Sequence, residues 1–219
     1  MSNLETFLHQ YSTKRYRKGS VILQQDAVPT SAFIIKKGIV KTYNITNGGE
    51  EKPIGLNAAN EIFPLGWVFG KTVKSQYYYE ALSECEIYCV PPEDLIAFIK
   101  SDQEVLYQLL ESRVWEGLNY QMRINALGQS KASDKVLHTI HYFALCFGHD
   151  LQKDIVEIPL PLTQQDIANF TGLTRETVSL ELKRLTSLNI IFSRNRNYVV
   201  LTNRLNELLD DEYEHRLAR

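Results

Sequence analysis

The hydrophobic pattern changes near residue 100, from short apolar runs to a helical period. Before that point the runs are separated by Gly, Asn, Asp and Pro, a pattern that predicts strands joined by tight turns. The runs are Val21–Leu23, Ala32–Ile35, Ile39–Tyr43 and Glu86–Val90, and the turn signals are Lys18-Gly19, Lys37-Gly38 and Asn47-Gly48-Gly49. We therefore expect residues 1–100 to be all β and to form a small antiparallel roll or barrel.

A long helix is predicted next. Ser101 and Glu104 form a capping box and Gly128 suits the end, which gives about 26 residues and a length of roughly 39 Å. Mostly apolar positions in it alternate spacings of four and three, the heptad pattern that favours pairing of two subunits, although an Arg and a Gly interrupt the pattern. The seam consists of Leu106, Leu110, Arg113, Gly117, Tyr120, Ile124 and Leu127. A helix wholly buried within one chain is the alternative.

The segment from Leu162 to Leu201 predicts two short amphipathic helices around Gly172, followed by a hairpin. Thr163 and Asp166 form a capping box, Gly172 supplies a positive φ, and Thr174 caps the second helix. This arrangement is typical of a winged helix-turn-helix, which places its second helix in a DNA major groove. Further helices are expected at Ser130–Phe147 and Asn203–Leu217.

These patterns together predict an α+β fold in three parts. Residues 1–100 form an antiparallel β-roll sensor domain of the double-stranded β-helix (jelly-roll) type, 101–128 a dimerisation helix, and 129–219 a winged helix-turn-helix domain.

The second helix of this motif has a polar face that suits base reading. Val178, Leu182 and Leu185 form a core stripe, which leaves Arg175, Glu176, Ser179 and Lys183 outside. Arg can grip guanine with two hydrogen bonds, and Glu can accept one from cytosine N4. As isolated charges, Arg175 and Glu176 would be ordinary solvated residues; the adjoining caps, turn and hairpin favour DNA contact.

The hairpin is predicted as Ile190–Phe192 and Tyr198–Leu201, joined by residues 193–197. Arg194 and Arg196 at its tip suit phosphate contacts, which orient a protein on DNA without reading its sequence. The alternative is that they are solubility charges on an edge strand.

Composition limits the function further. The net charge of −2 over 219 residues argues against an indiscriminate polyanion binder, although local basic residues remain compatible with DNA. No apolar run suits a signal peptide or a membrane span, and three widely spaced cysteines fit a reducing compartment, so we expect a cytoplasmic protein without membrane contact.

The sequence offers no set of residues that would support catalysis or metal binding. An iron–sulfur centre needs about four cysteine ligands, and the chain has Cys85, Cys89 and Cys146. A cupin-like metal site needs several His ligands from strands, and no His occurs between His9 and His138. We therefore expect no catalytic residues, no metal and no cofactor.

The chain resembles the Crp/Fnr family of bacterial transcription regulators over nearly its whole length. The strongest likeness is LTQQDIANFTGLTRETVSLELKRL, and Tyr16–Gly19, Phe33–Gly38 and Asn60–Phe63 resemble landmarks of the family's β-roll. The resemblance implies a homodimer that binds palindromic double-stranded DNA, with RNA polymerase as a candidate further partner.

The resemblance also assigns residues. It puts Arg175, Glu176 and Ser179 at base-reading positions and Thr163 and Gln164 near phosphates. Lys183, Arg194 and Arg196 complete the expected phosphate contacts. One departure is Leu180, which stands where many relatives carry an Arg. Leu180 could contact a thymine methyl group or could avoid the base edge.

The roll departs from its cyclic-nucleotide-binding relatives. Those use a Gly-Glu pair for the ribose and an Arg-Ser or Arg-Thr pair for the phosphate; here Asn60-Glu61 and Ser75-Gln76 stand there, and no Arg lies between Arg17 and Arg113. Lys71 or Lys74 could replace the Arg only as a point charge. Cyclic AMP is therefore not the expected effector.

The same region of the roll is rich in aromatic side chains, which could line a pocket for an unknown, less polar small-molecule effector. The candidate pocket residues are Glu61, Phe63, Trp67, Lys74, Tyr77 and Tyr79. The alternative is a filled core without a ligand.

Two functions remain to be compared. The favoured one is a homodimeric, sequence-specific DNA-binding regulator of transcription. The alternative is a ligand-binding β-roll protein, for a cyclic nucleotide or another small molecule, whose winged helix mediates protein contacts. Steep salt dependence of binding would indicate DNA.

Overall fold

The computed structural model describes residues 3–209, which form two compact units that divide between Glu116 and Gly117. This division falls inside the long helix, so that helix contributes its first part to one unit and its second part to the other. The predicted separation into residues 1–100, 101–128 and 129–219 treats the helix as a segment of its own and remains a prediction.

The first unit is built on two antiparallel four-stranded sheets, which confirms the predicted β-roll. One sheet has the strand order β1-β8-β3-β6 and the other β2-β7-β4-β5. The strands are β1 Thr13–Tyr16, β2 Val21–Leu23, β3 Ala32–Lys37, β4 Val40–Ile45, β5 Glu51–Asn57, β6 Ile62–Phe63, β7 Tyr78–Ala81 and β8 Cys85–Val90.

Three helices accompany these strands, so the expectation that residues 1–100 are all β was wrong. They are α1 Asn3–Leu8, α2 Leu65–Val68 and α3 Pro92–Ser101. The sequence explains α3: Pro92 suits the first turn, Glu93 and Asp94 favour the positive end of the helix dipole, and Leu95 and Ile99 are buried. A spacing of four between Leu95 and Ile99 is the helical signal that the short apolar runs concealed.

The buried apolar side chains of the first unit form two groups, one on each face of the sheet that contains β3. Ile34, Tyr88 and Leu95 belong to the group that includes α1 and α3, whereas Phe33 and Tyr79 belong to the other. The assignment follows from strand geometry, because successive side chains such as Phe33 and Ile34 point to opposite faces. The sheet β1-β8-β3-β6 is therefore apolar on both faces: one face packs with α1 and α3, and the other packs with the second sheet, which contributes Tyr79.

The long helix α4 spans Gln103–Gly128, 26 residues, as predicted. Its cap differs from the expectation. The Oδ1 atom of Asp102 accepts hydrogen bonds from the backbone N–H groups of Glu104 at 3.0 Å and Val105 at 3.1 Å. Ser101 ends α3, and its hydroxyl donates to the carbonyl of Phe98. The capping box with Ser101 was wrong because the preceding helix already includes that residue.

The second unit combines helices with a four-stranded antiparallel sheet of order β11-β12-β10-β9. Its elements after α4 are α5 Ala132–Phe147, β9 His149–Gln152, β10 Ile155–Ile158, α6 Gln164–Thr171, α7 Arg175–Ser187, β11 Ile191–Arg194, β12 Asn197–Leu201 and α8 Thr202–Asn206. The helix expected at Ser130–Phe147 is confirmed as α5. The sequence analysis missed β9 and β10, and most of the helix expected at Asn203–Leu217 lies outside the described residues.

The wing is tighter than predicted. β11 and β12 pair from Ile191 with Val200 to Arg194 with Asn197, which leaves a loop of two residues rather than five. Asn195 and Arg196 occupy this loop with φ values of 50° and 69°. Positive φ at both positions is the geometry of a type I′ turn, which matches the twist of the strands. The five-residue loop was wrong because Arg rarely adopts positive φ.

Candidate nucleic-acid interface

The first helix of the motif begins with the predicted capping box. The hydroxyl of Thr163 accepts a hydrogen bond from the backbone N–H of Asp166 at 3.1 Å, and the Asp166 carboxylate accepts from the Thr163 N–H at 2.7 Å. The same carboxylate also accepts from the Thr163 hydroxyl at 2.7 Å. The Thr163 side chain is thus occupied in holding the start of α6.

The turn between α6 and α7 depends on Gly172, which has a φ of 69° and a ψ of 24°. This left-handed conformation costs little for glycine, and it reverses the chain within three residues. Thr174 then caps α7 by accepting a hydrogen bond from the Thr177 N–H at 3.2 Å. Local sequence therefore determines the positions at which both helices begin.

The buried and exposed sides of α7 are those expected from its period. Val178, Leu182 and Leu185 are buried in the core. On the other side, Arg175, Glu176 and Lys183 are exposed and Ser179 is half-buried. The helix thus presents the predicted base-reading residues to solvent on one continuous polar face.

A groove runs between α7, the start of α6 and the wing, and it encloses about 500 Å³. It brings together four predicted DNA-contacting residues from three elements: Gln164, Ser179, Lys183 and Arg196. The other groove residues are Leu182, Thr186, Ser187, Ser193 and Tyr198. The sequence analysis missed these. Ser187 could have been found, since it lies four residues after Lys183 on the same helical face.

Charges around this groove are available to an external partner. Within residues 3–209, none of Arg175, Lys183, Arg194 and Arg196 forms an ion pair. Arg184 differs, because its Nε atom donates to Glu181 of the same helix at 2.7 Å. Among the described residues, the groove is therefore bordered by cations that form no ion pair with a carboxylate, which suits a phosphate-binding surface.

Comparison with known proteins covers both units. The sequence profile of the cyclic nucleotide-binding domain matches residues 13–102, and that of the Crp-like helix-turn-helix domain matches residues 136–208. The chain belongs to the Crp/Fnr family. Members of the Crp/Fnr family with this pair of domains are transcriptional regulators with a helix-turn-helix DNA-binding domain, and the chain is a regulator of this type.

Curated relatives in the Crp/Fnr family align over most of the chain. The HTH-type transcriptional regulator ArcR of Staphylococcus epidermidis is 27% identical over 198 residues, 89% of this chain and 84% of the relative. The nitrogen fixation regulation protein FixK of Azorhizobium caulinodans is 27% identical over 189 residues, 86% of this chain and 75% of the relative. Among solved structures, FixK2 from Bradyrhizobium japonicum has a TM-score of 0.74 at 22% identity, covering 90% of this chain and 96% of FixK2, and so shares the fold.

The candidate effector residues of this Crp/Fnr chain do not all lie together. Phe63 and Tyr79 are buried and stack with ring centroids 4.5 Å apart, and Tyr77 packs against the same group. Trp67 packs against the other apolar group of the roll, and Lys74 is exposed. The Ser75 hydroxyl donates to the Tyr77 carbonyl at 2.7 Å.

Glu61 lies in a charged cluster with two residues of α4. Burial raises the pKa of Glu61 to about 7, the Arg113 guanidinium lowers it, and the Glu116 carboxylate raises it. Burial also raises the pKa of Tyr79, with further contributions from Tyr77 and Glu116. Arg113 contacts Glu116, and its Nε atom is buried without a hydrogen-bond partner among the described residues. The charges of α4 thus act on Glu61 and Tyr79, two of the roll residues predicted to bind an effector.

The apolar members of the α4 seam are largely exposed. Leu106, Leu110 and Ile124 have 51%, 58% and 69% of their surface exposed, and Tyr120 and Leu127 are exposed as well. Arg113 and Gly117 are half-buried. The alternative of a helix wholly buried within one chain was wrong.

No group of three His, Cys, Asp or Glu side chains that could hold a metal ion occurs between residues 3 and 209. In the same range, no helix is both long enough and apolar enough to cross a membrane.

Proposed function

We propose that the chain is a homodimeric, sequence-specific DNA-binding regulator of transcription that acts in the bacterial cytoplasm. The observation that carries this proposal is the groove between α7 and the wing, where Lys183 and Arg196 meet Gln164 and Ser179. Cations that form no ion pair within residues 3–209, beside a capped and exposed polar helix, suit a duplex better than they suit a protein partner, because DNA supplies regularly spaced phosphates.

The groove residues divide into two roles. Arg175, Glu176 and Ser179 on the exposed face of α7 would read base edges, since an α-helix fits the major groove. Lys183, Arg194, Arg196 and Gln164 would contact phosphates. Thr163 would act indirectly, because its hydroxyl is already bonded within the capping box.

A dimer would bury the exposed seam of α4. Apolar side chains at heptad spacing favour a paired helix, and a two-fold dimer fits a palindromic site. Two recognition helices about 34 Å apart would meet half-sites separated by one helical turn of DNA.

Control by the roll completes the proposal. An effector that contacts the roll and α4 would change the relative orientation of the two paired α4 helices, and therefore the spacing of the two recognition helices. Cyclic AMP is a poor candidate because the phosphate-gripping Arg is absent and Ser75 is bonded within its own turn. A less polar effector would suit the aromatic side chains better.

The test is selection of bound duplexes from a random pool by the purified full chain, first alone and then with cell extract. A two-fold palindrome enriched in either arm supports the proposal and identifies the half-site. Enrichment in the first arm also shows that the chain binds without an effector. If neither arm enriched a duplex, and the chain was shown to be folded and dimeric, the DNA-binding function would be overturned and the protein-contact alternative favoured.

A further inference from the structure

The polar face of α7 contains one conspicuous exception. Among the residues of α7, all of which the structure describes, Leu180 is the only large apolar side chain that is exposed, at 66%. The other large apolar residues of the helix, Val178, Leu182 and Leu185, are buried. Leu180 therefore contributes no core packing to the unit that contains it.

Leu180 lies on the outward face among the residues proposed to contact DNA. On a regular helix it stands about 40° around the axis from Glu176 and about 60° from Lys183. The buried Val178 and Leu182 each lie roughly 160° away from it. Glu176 and Lys183 are both exposed and lie on the same side of Leu180 around the axis. Leu180 is thus close to the line that points directly away from the core.

A solitary exposed leucine is ordinary on a protein surface. Leu180, however, lies on a face proposed to enter the major groove, where the base pairs offer a single apolar group, the C5-methyl group of thymine. Ala or Glu would satisfy helix propensity equally well without exposing an isobutyl group. A methyl group is the partner that the leucine side chain fits by size and polarity.

We propose that Leu180 determines specificity by contacting a thymine methyl group in each half-site. This inference rests on the proposed DNA-binding function and adds a base preference to it. Glu176 and Leu180 are separated by about 6 Å along the helix axis, which corresponds to one or two base-pair steps of about 3.4 Å. The thymine should therefore lie within about two base pairs of the pair contacted by Glu176.

The test uses the duplex selected by the full chain, with each thymine replaced in turn by 2′-deoxyuridine at symmetric positions of both half-sites. This replacement removes the methyl group and keeps base pairing. For the unchanged chain, one position should raise the Kd by about three- to tenfold per half-site, the effect of losing one buried methyl contact. The Kd is measured by fluorescence anisotropy at one fixed salt concentration.

The variant Leu180→Ala should bind the thymine duplex more weakly and show no further loss with deoxyuridine. Leu188→Ala is the matched control, because Leu188 is also exposed, at 45%, but follows the last residue of the same helix. It should keep the full deoxyuridine penalty.

Two outcomes would overturn the inference while leaving DNA binding intact: no deoxyuridine penalty in the unchanged chain, or the same penalty in Leu180→Ala. The second would mean that another side chain contacts the methyl group. Failure to select any duplex would instead contradict the proposed function, and Leu180 would then belong to a surface for a protein partner.

Discussion

The guanidinium of Arg123 lies 4.5 Å from the centre of the Phe170 ring. Arg123 belongs to the second part of α4 and Phe170 to α6, and the two side chains are 8% and 1% exposed. Burial lowers the pKa of Arg123, and the neighbouring Tyr142 and Tyr120 partly offset this effect. A buried cation on an aromatic face therefore joins the end of the long helix to the first helix of the DNA-binding motif.

This pair should show energetic coupling. A desolvated cation–π contact contributes about 2 kcal/mol, and removing only the ring leaves a buried charge without that partner. Phe170→Leu should therefore destabilise the chain more in the presence of Arg123 than in an Arg123→Met background. A double-mutant cycle on the free energy of unfolding in urea should give a coupling of about 1–2 kcal/mol. Additive effects of the two substitutions would contradict the contact.

Substitutions of Arg175 and Arg196, two of the three arginines of the proposed interface, should affect DNA binding differently. Arg175→Ala should remove preference at one base pair, at a cost of about 1–3 kcal/mol on the selected duplex. Arg196→Ala should weaken binding to all duplexes alike and reduce the salt dependence by about one phosphate contact. Binding to matched and single-substituted duplexes across a salt series checks both.

The control for these variants is Lys52→Ala, which removes an exposed cation of the first unit that pairs with Glu50. It should change neither base preference nor salt dependence. If Arg175→Ala and Arg196→Ala weakened every duplex equally, the division between base reading and phosphate contact would be wrong.

The sequence predicted the DNA-binding motif well because its signals are local. Thr163 and Asp166 lie three residues apart, and Gly172 needs no distant partner to adopt its turn. The wing turn was mispredicted since Arg196 takes a positive φ that its residue type disfavours, and pairing of the flanking strands decides the geometry. Local chemistry identifies a helix start more reliably than it identifies a hairpin.

Long-range contacts in the roll were beyond the sequence analysis. Glu61 and Arg113 are 52 positions apart, and only the folded chain shows that the guanidinium influences the carboxyl group. Likewise, Phe63 and Trp67 are both aromatic, yet strand and helix geometry place them in different apolar groups. Residue type alone could not separate core packing from a ligand pocket.

The exposed seam of α4 should hold the dimer together. Leu110→Glu would place two carboxylates in an apolar interface, and we expect the dimer dissociation constant to rise by at least about a hundredfold. Sedimentation velocity across a concentration series measures this. Trp115→Glu is the matched control, because Trp115 is also exposed, at 44%, but lies on another side of the helix. If Trp115→Glu dissociated the dimer and Leu110→Glu did not, the proposed interface would be on the wrong face of the helix.

Glu61 should make stability depend on pH. Burial raises its pKa from an ordinary 4.5 to about 7, so between these values the folded chain binds a proton that the unfolded chain has lost. The stabilisation associated with this proton is complete below about pH 4.5 and disappears as the pH rises through about 7, a change of up to about 3 kcal/mol.

Glu61→Gln, which resembles the protonated form, should therefore match the unchanged chain to within about 1 kcal/mol at pH 5 and exceed its stability by about 2–3 kcal/mol at pH 8. Urea unfolding at the two pH values provides the measurement. Glu111→Gln, which makes the same change at an exposed position of α4, is the control for replacing a carboxyl group by an amide. A difference for Glu61→Gln that did not vary with pH would show that Glu61 is already ionised beside Arg113 in the folded chain, and the charged cluster would then be a fixed ion-pair network rather than a group that takes up a proton.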